Sequence, residues 1–283
     1  MQEPLFIKNE NGSYFHFRCE GENKKGTIIF VHGFATTSEY HNVFIKHIIN
    51  DYDYIAIQLP GAGFQEWKYD KKPTVEEMVL YCANLIRSLN LSKFILLGHS
   101  MGGGIVIRIA NLFKKETIGL ICSTPMNSGI SFFKIFNYFK FNPKNFSKCF
   151  RLQNDLYYDL NKTMNNNQEQ IEKMVVDELN YQLKHRKFFV QLKKSMFSIK
   201  NLKLCRANES KISCPTLVIA GKYDKIISPK SLFKAFDKKQ RENYNLIRIE
   251  LMNSSAHIPF QEQEYEYAKE IKDFINLITK EQG

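Results

Sequence analysis

An apolar run that ends in glycines around a single serine constrains the fold of this chain more than any other feature. Residues 93–110 read KFILLGHSMGGGIVIRIA. The apolar residues before Gly98 predict a buried strand, and the residues after Ser100 predict a helix that extends to about Lys115. Glycine weakens both strands and helices, so its concentration at their junction indicates a requirement other than stability. The sequence therefore predicts a sharp strand-to-helix turn that presents Ser100.

Short apolar runs alternate with helical segments through most of the remaining chain. Residues 27–33 and 54–61 are continuous apolar runs that end in glycine, which is typical of strands buried on both faces. Residues 74–90 begin with Thr74 and Glu77 at capping-box spacing and continue as an amphipathic helix. Because strands and helices alternate, we expect a mostly parallel sheet with helices packed against it.

The two ends of the chain depart from this alternation. Residues 5–19 contain two strand-like runs joined at Asn11 and Gly12, a dipeptide that favours a tight hairpin turn. Residues 259–280 have amphipathic helical spacing, with Pro259 in the first turn. We therefore expect an antiparallel hairpin at the beginning and one helix at the end.

Residues 126–205 form a segment of different composition. This segment contains 14 aromatic, 14 basic and 6 acidic residues, together with the polar tract NKTMNNNQEQ. A buried strand follows it at CPTLVIAGKYD, so the alternation then resumes. We interpret the segment as a mostly helical insertion in a single core.

The serine lies in a pentapeptide of the form G-x-S-x-G, which is typical of a nucleophile elbow. Gly98 and Gly102 would allow the strand and the helix to pass close together on either side of Ser100. The tetrahedral oxyanion formed on attack needs two backbone N–H donors. We expect these from Met101, directly after the serine, and from Phe34, in the loop after the strand at residues 27–31.

A serine hydroxyl becomes an effective nucleophile when a histidine removes its proton and a carboxylate fixes the tautomer of that histidine. Asp224 comes just after one late strand, and His257 comes just after the next. The sequence therefore predicts a triad of Ser100, Asp224 and His257. Simpler alternatives are that Asp224 only caps a turn and that His257 only precedes the helix at Pro259.

The chain resembles the α/β-hydrolase superfamily through VHGF, LPGAG, LGHSMGGG, AGKYD and AHIPF, which occur in the order that the superfamily uses. The resemblance implies an eight-stranded, mostly parallel sheet with a helical cap inserted after the sixth strand, and a hydrolase without a metal or other cofactor. It divides the chain into a core of residues 1–125 and 206–283 and a cap of residues 126–205.

The stretch GHSMGG is most similar to esterases, monoacylglycerol lipases and carbon–carbon bond hydrolases. Serine at the elbow argues against haloalkane dehalogenases and epoxide hydrolases, which resemble this fold but use aspartate there. Gln58, before LPGAG, departs from the aspartate that relatives often have. We expect that departure to affect the structure of the loop and not the triad.

We therefore expect an esterase or lipase that acts on lipophilic acyl or monoacylglycerol-type substrates. A thioesterase, a carbon–carbon bond hydrolase or a perhydrolase would use the same triad, because only the pocket distinguishes them. An aminopeptidase needs an acidic residue beside the site to hold the substrate amine, and the basic composition of the cap disfavours it. A receptor that binds a small ligand without turnover is the alternative from another class.

The formal net charge of +11 raises the question of anionic partners. No nucleic-acid-binding motif accompanies the charge, so we expect no nucleic acid partner. The stretch SFFKIFNYFKF in the cap has a composition suited to weak contact with an anionic membrane surface. No feature indicates an obligate protein partner, and without a signal sequence or a long apolar run we expect a cytoplasmic protein.

Overall fold

The computed structural model describes residues 3–22, 24–62, 67, 72–129, 143–242 and 246–280, without the side chains of Tyr40 and residues 237–242. Eight strands form one sheet in the order β1-β2-β4-β3-β5-β6-β7-β8. The strands are β1 (Leu5–Asn9), β2 (Gly12–Phe17), β3 (Gly26–Val31), β4 (Tyr52–Gln58), β5 (Phe94–His99), β6 (Thr117–Ser123), β7 (Thr216–Gly221) and β8 (Ile247–Met252). The β1–β2 and β2–β4 pairs are antiparallel and the others are parallel, which confirms the predicted sheet.

Helices cover both faces of this sheet and also follow its sixth strand. They are α1 (Asn42–Ile45), α2 (Val75–Ser88), α3 (Met101–Leu112), α4 (Phe146–Leu156), α5 (Leu160–Thr163), α6 (Gln168–Lys184), α7 (Arg186–Met196), α8 (Ile199–Glu209), α9 (Pro229–Glu242), α10 (Pro259–Glu262) and α11 (Glu264–Lys280). Among the described residues, α4 to α8 lie between β6 and β7, as expected for a helical insertion after the sixth strand.

Neighbouring residues of the central strands point to opposite faces of the sheet. In β3, Ile29 joins a buried cluster with Val75 of α2, whereas Ile28 joins a second cluster with Ile271 of α11. Both isoleucines are fully buried. This packing explains why the sequence of β3 is continuously apolar and does not alternate with polar residues.

The start of α2 lies where the sequence predicts it, whereas the turn of the N-terminal hairpin lies one residue earlier. The Thr74 side chain accepts a hydrogen bond from the Glu77 backbone N–H at 3.2 Å, as predicted for the start of α2. The predicted hairpin turn is displaced by one residue, because Asn9 pairs with Gly12 and leaves residues 10 and 11 in the turn. The Asn9 side-chain oxygen accepts from the N–H groups of residues 11 and 12, which favours this shifted turn.

The predicted C-terminal helix is divided into α10 and α11. Gln263 separates them with a non-helical backbone at φ −134° and ψ 57°. Its side-chain oxygen accepts a hydrogen bond from the Ser254 backbone N–H at 2.7 Å. A contact with the loop that precedes α10 therefore overrides the continuous amphipathic pattern.

Candidate active site

Ser100 occupies the turn between the end of β5 and the start of α3. Its backbone has φ 54° and ψ −118°, a conformation that is strained for a residue with a side chain. A Cβ atom built on Gly98 would lie 2.5 Å from the Gly102 carbonyl oxygen, and one on Gly102 would lie 2.1 Å from the Val31 carbonyl oxygen. Neither position can hold a side chain without movement of the backbone, so these glycines permit the close packing of α3 on β3 and β5.

The structure brings Ser100, Asp224 and His257 together. His257 Nε2 lies 2.9 Å from Ser100 Oγ, and His257 Nδ1 lies 2.8 Å from Asp224 Oδ2. The other carboxylate oxygen of Asp224 accepts backbone N–H bonds from Ile226 and Ile227 at 2.7 and 2.8 Å. Because Asp224 can only accept when it is ionised, this network assigns the imidazole proton to Nδ1 and leaves Nε2 to accept from the serine.

His99 and Thr124 hold the backbone of His257, a role that sequence reasoning did not predict. His99 Nε2 donates to the His257 carbonyl oxygen at 2.8 Å, and Thr124 Oγ1 donates to the same oxygen at 3.2 Å. Burial lowers the pKa of His99 to about 3, so its imidazole is neutral and carries one proton. The only sequence signal was the place of His99 inside the pentapeptide, beside the serine.

The loop after β3 passes directly over the serine. A Cβ atom on Gly33 would lie 3.2 Å from Ser100 Cβ. Phe34 is buried and lines the same cavity as Ser100, and Met101 is the first residue of α3, where backbone N–H groups have no partner within the helix. The oxyanion role of the Phe34 and Met101 N–H groups stays a prediction.

His32 and Gln58 connect this loop to the loop after β4. His32 Nδ1 donates to the Gly33 carbonyl at 2.9 Å, and its Nε2 accepts from the Leu59 N–H at 3.1 Å. Gln58 Oε1 accepts from the Ser38 N–H at 3.0 Å, and its Nε2 donates to the Ala62 carbonyl at 2.8 Å. Gln58 therefore organises the loops, as expected from the sequence, and none of these bonds involves the triad.

A cavity of about 680 Å³ opens onto Ser100 and His257. Most of its apolar lining comes from the helices after β6 and from the loop after β7. These apolar residues include Leu152, Leu156, Met174, Met196, Phe197, Leu202, Ile226 and Ile227. A cavity of this size, mainly apolar with a few polar groups, is typical of a site for a small organic molecule.

Apart from Met174, the α6 wall of the cavity is mainly polar and contains two carboxylates, Asp177 and Glu178, together with the cation Lys173. Gln182 Nε2 donates to Glu178 Oε1 at 2.5 Å. Burial raises the pKa of Glu178 to about 7. Two of the six acidic residues of the cap therefore line the cavity, a placement that the basic composition of the cap did not indicate.

The comparisons with known proteins agree with this fold. The family described as serine aminopeptidase, S33, matches residues 22–264. The chain belongs to this family of α/β-hydrolases. It is therefore a hydrolase, and the resemblance to the α/β-hydrolase superfamily is confirmed.

Two relatives and one solved structure extend the comparison. A Mycoplasma genitalium protein named "Putative esterase/lipase 1" is 27% identical over 264 residues, covering 91% of this chain and 94% of its own. The pimeloyl-acyl-carrier-protein methyl ester esterase of Wigglesworthia glossinidia brevipalpis is 27% identical over 268 residues, covering 88% and 93%. A serine hydrolase from Cycloclasticus zankles superposes with a TM-score of 0.78 at 13% identity, covering 97% and 98%. Among the described residues, no helix is long and apolar enough to span a membrane.

Proposed function

We propose that this protein hydrolyses carboxylic esters through an acyl-enzyme formed on Ser100. The observation that carries the proposal is the continuous hydrogen-bonded chain from Asp224 through His257 to Ser100, at the wall of a cavity large enough for an acyl chain. The names of the two relatives, an esterase/lipase and a methyl ester esterase, support the same reaction class.

The proposed reaction begins when Ser100 Oγ attacks the ester carbonyl carbon and His257 Nε2 accepts the hydroxyl proton. The Phe34 and Met101 N–H groups stabilise the tetrahedral oxyanion, each by about 3 kcal/mol as in comparable sites. Collapse of the intermediate expels the alcohol, which takes the proton from His257. Water then attacks the acyl carbon and gives a proton to His257. Collapse of this second tetrahedral intermediate breaks the bond between the acyl carbon and Ser100 Oγ, so that the acid leaves and His257 returns the proton to Ser100.

The substrate that we propose is a small-molecule ester or lipid with a lipophilic acyl group, because the cavity lining is mainly apolar. The helical segment that supplies much of this lining is proposed to act as a cap, residues 126–205, on a core of residues 1–125 and 206–283. The stretch SFFKIFNYFKF, on which contact with anionic membranes was predicted, lies outside the described residues. That contact stays a prediction.

A panel of nitrophenyl esters from acetate to decanoate tests the proposal. We expect turnover by the wild-type protein, a preference for octanoate over acetate, and loss of turnover in Ser100→Ala with an unchanged circular dichroism spectrum. Parallel assays with thioesters and with substrates of carbon–carbon bond hydrolases test the alternative activities that use the same triad. Stoichiometric binding of esters without any turnover would instead favour the receptor alternative.

Hydrolysis of amides next to a free amino group is a second candidate function, because Asp177 and Glu178 line the cavity and each can hold an ammonium group when it is ionised. Alanine nitroanilide and its N-acetylated form distinguish the two candidates. An aminopeptidase would cleave only the free amine and would lose that activity in Glu178→Gln. The control Glu172→Gln lies on the same helix, but its side chain is exposed and outside the cavity lining.

A further inference from the structure

The loop that carries His257 is bonded to the segment that follows β6. We define the cap corner as residues 155–158, the end of α4 and the two residues after it. The His257 backbone N–H donates to the Leu156 carbonyl oxygen at 2.8 Å. The histidine is thus held at both backbone polar groups, since His99 and Thr124 donate to its carbonyl.

The Glu262 carboxylate forms a second bridge between the same two segments. Its Oε2 accepts from the Ala256 backbone N–H at 2.8 Å, directly before His257, and from Ser255 Oγ at 3.2 Å. Its Oε1 accepts from the Tyr158 backbone N–H at 2.5 Å, in the cap corner. One side chain therefore joins the cap corner to the residue that precedes the histidine.

Further contacts of the cap corner reach the loop of Asp224. The Tyr158 ring stacks on Tyr223 at a centroid distance of 4.5 Å, and Asp155 lies 3.4 Å from the Lys225 ammonium group. Tyr223 and Lys225 flank Asp224 in the sequence. The cap corner consequently contacts the loops of both the acid and the base.

We infer that Glu262 is a positioning residue, whose carboxylate fixes the His257 loop to the cap corner and so aligns the imidazole with Ser100. Ser100 itself lies on a different element, the strained turn before α3, and has no bond to the cap corner among the described residues. A shift of the cap corner would therefore move the histidine relative to the serine. The effect that we infer on catalysis rests on the proposed ester hydrolysis, whereas the alignment of His257 with Ser100 does not.

Glu262→Gln tests the inference with little change in volume. The amide retains one acceptor oxygen and places an NH₂ group against the second backbone donor, so one half of the bridge is lost. Glu264→Gln is the matched control, because Glu264 begins the adjacent helix α11 and pairs with Lys46 and His47, away from the cap corner. The measurements are kcat and KM for an ester, and the rate constant for inactivation by a fluorophosphonate, each per titrated active site.

We expect Glu262→Gln to lower kcat and the inactivation rate constant together by about tenfold or more, with KM changed less than twofold. The control should match the wild-type protein in all three quantities. If Glu262→Gln lowers only the melting temperature and leaves kcat and the inactivation rate per titrated site at the wild-type values, the inference is overturned.

A second variant serves if Glu262→Gln does not fold. Glu262→Asp keeps the carboxylate but shortens the side chain by one methylene, so that it cannot reach both the Ala256 N–H and the Tyr158 N–H. A fall in the inactivation rate supports the inference, and a wild-type rate contradicts it. Labelling of Ser100 requires no ester turnover. If the wild-type protein is labelled but hydrolyses no ester, the proposed function is contradicted, and the labelling rates of the variants still test the role of Glu262.

Discussion

His99 Nε2 donates a hydrogen bond of 2.8 Å to the backbone carbonyl of His257, although 158 residues separate the two histidines along the chain. The donor thus comes from the residue immediately before Ser100, and the acceptor belongs to the proposed general base. This bond connects the turn that holds the nucleophile with the loop that holds the base.

We expect His99→Ala to lower kcat by about tenfold or more, because it removes a buried donor from the His257 carbonyl. His99→Gln should recover part of that loss, since its amide can donate in place of Nε2. Steady-state kinetics on a nitrophenyl ester, with melting temperatures for both variants, measure the effect. Equal losses of kcat in the two variants would show that the hydrogen bond to the His257 carbonyl is not the cause of the loss.

Asp224→Asn should lower kcat by a factor on the order of 10³ to 10⁴, because the amide can donate to Nδ1 and so favours the imidazole tautomer that cannot accept from Ser100. The backbone bonds from Ile226 and Ile227 need only one acceptor oxygen, so we expect the loop to stay in place. Kinetics and circular dichroism check both points. A variant with nearly full turnover would remove Asp224 from the triad.

The acyl chain is proposed to lie against the apolar wall, which a larger side chain would shorten. Leu152 of α4 is buried and lines the cavity, whereas Phe146 on the same helix is 42% exposed and does not. Leu152→Trp should lower kcat/KM for octanoate by about tenfold while acetate is turned over as before. Phe146→Trp is the control. Equal changes for both esters would contradict this location of the acyl chain.

Acid should destabilise the folded protein through its buried histidines. Burial lowers the pKa of His32 to about 4 and of His99 to about 3, and it lowers the pKa of His41 well below the ordinary value. Below pH 6.5 these three histidines bind protons in the unfolded chain but stay neutral in the folded protein. Each site should therefore lower the free energy of unfolding by about 1.4 kcal/mol per pH unit as the pH falls towards its folded pKa.

Buried carboxyl groups oppose this trend, since burial raises the pKa of Glu178 to about 7 and that of Glu209 and Glu262 above the ordinary value. A variant comparison separates the histidine contribution. The difference in unfolding free energy between pH 7.5 and pH 5.5, measured with urea, should be smaller in His41→Gln than in the wild-type protein. An equal difference would show that His41 is not held neutral.

The sequence predicted the sheet, the start of α2 and the turn at Ser100 because each depends on residues that are close together in the chain. The break at Gln263 was not predictable in this way, since it accepts a bond from Ser254 in the preceding loop. The displaced hairpin turn has a different cause, because two local preferences compete there and the Asn9 side chain outweighed the preference of Asn11 and Gly12.

In the candidate site, the sequence predicted the residues that follow strands but not the contacts between helices and loops. Ser100, Asp224 and His257 could be named because each follows a recognisable strand, and their catalytic roles stay predictions. The contacts of Glu178 and Glu262 could not be predicted, because helical periodicity does not identify the tertiary partners of a side chain. Only the packing of α6 and α10 places these carboxylates in the cavity wall and beside the His257 loop.

The covalent intermediate on Ser100 is the central claim, and mass spectrometry of acid-quenched protein tests it most directly. Wild-type protein mixed with nitrophenyl octanoate should carry one octanoyl group on the peptide that contains Ser100, at a rate that matches the burst of nitrophenol. Ser100→Ala should show neither the adduct nor the burst. An octanoyl group on a different residue, or full turnover by Ser100→Ala, would contradict the account.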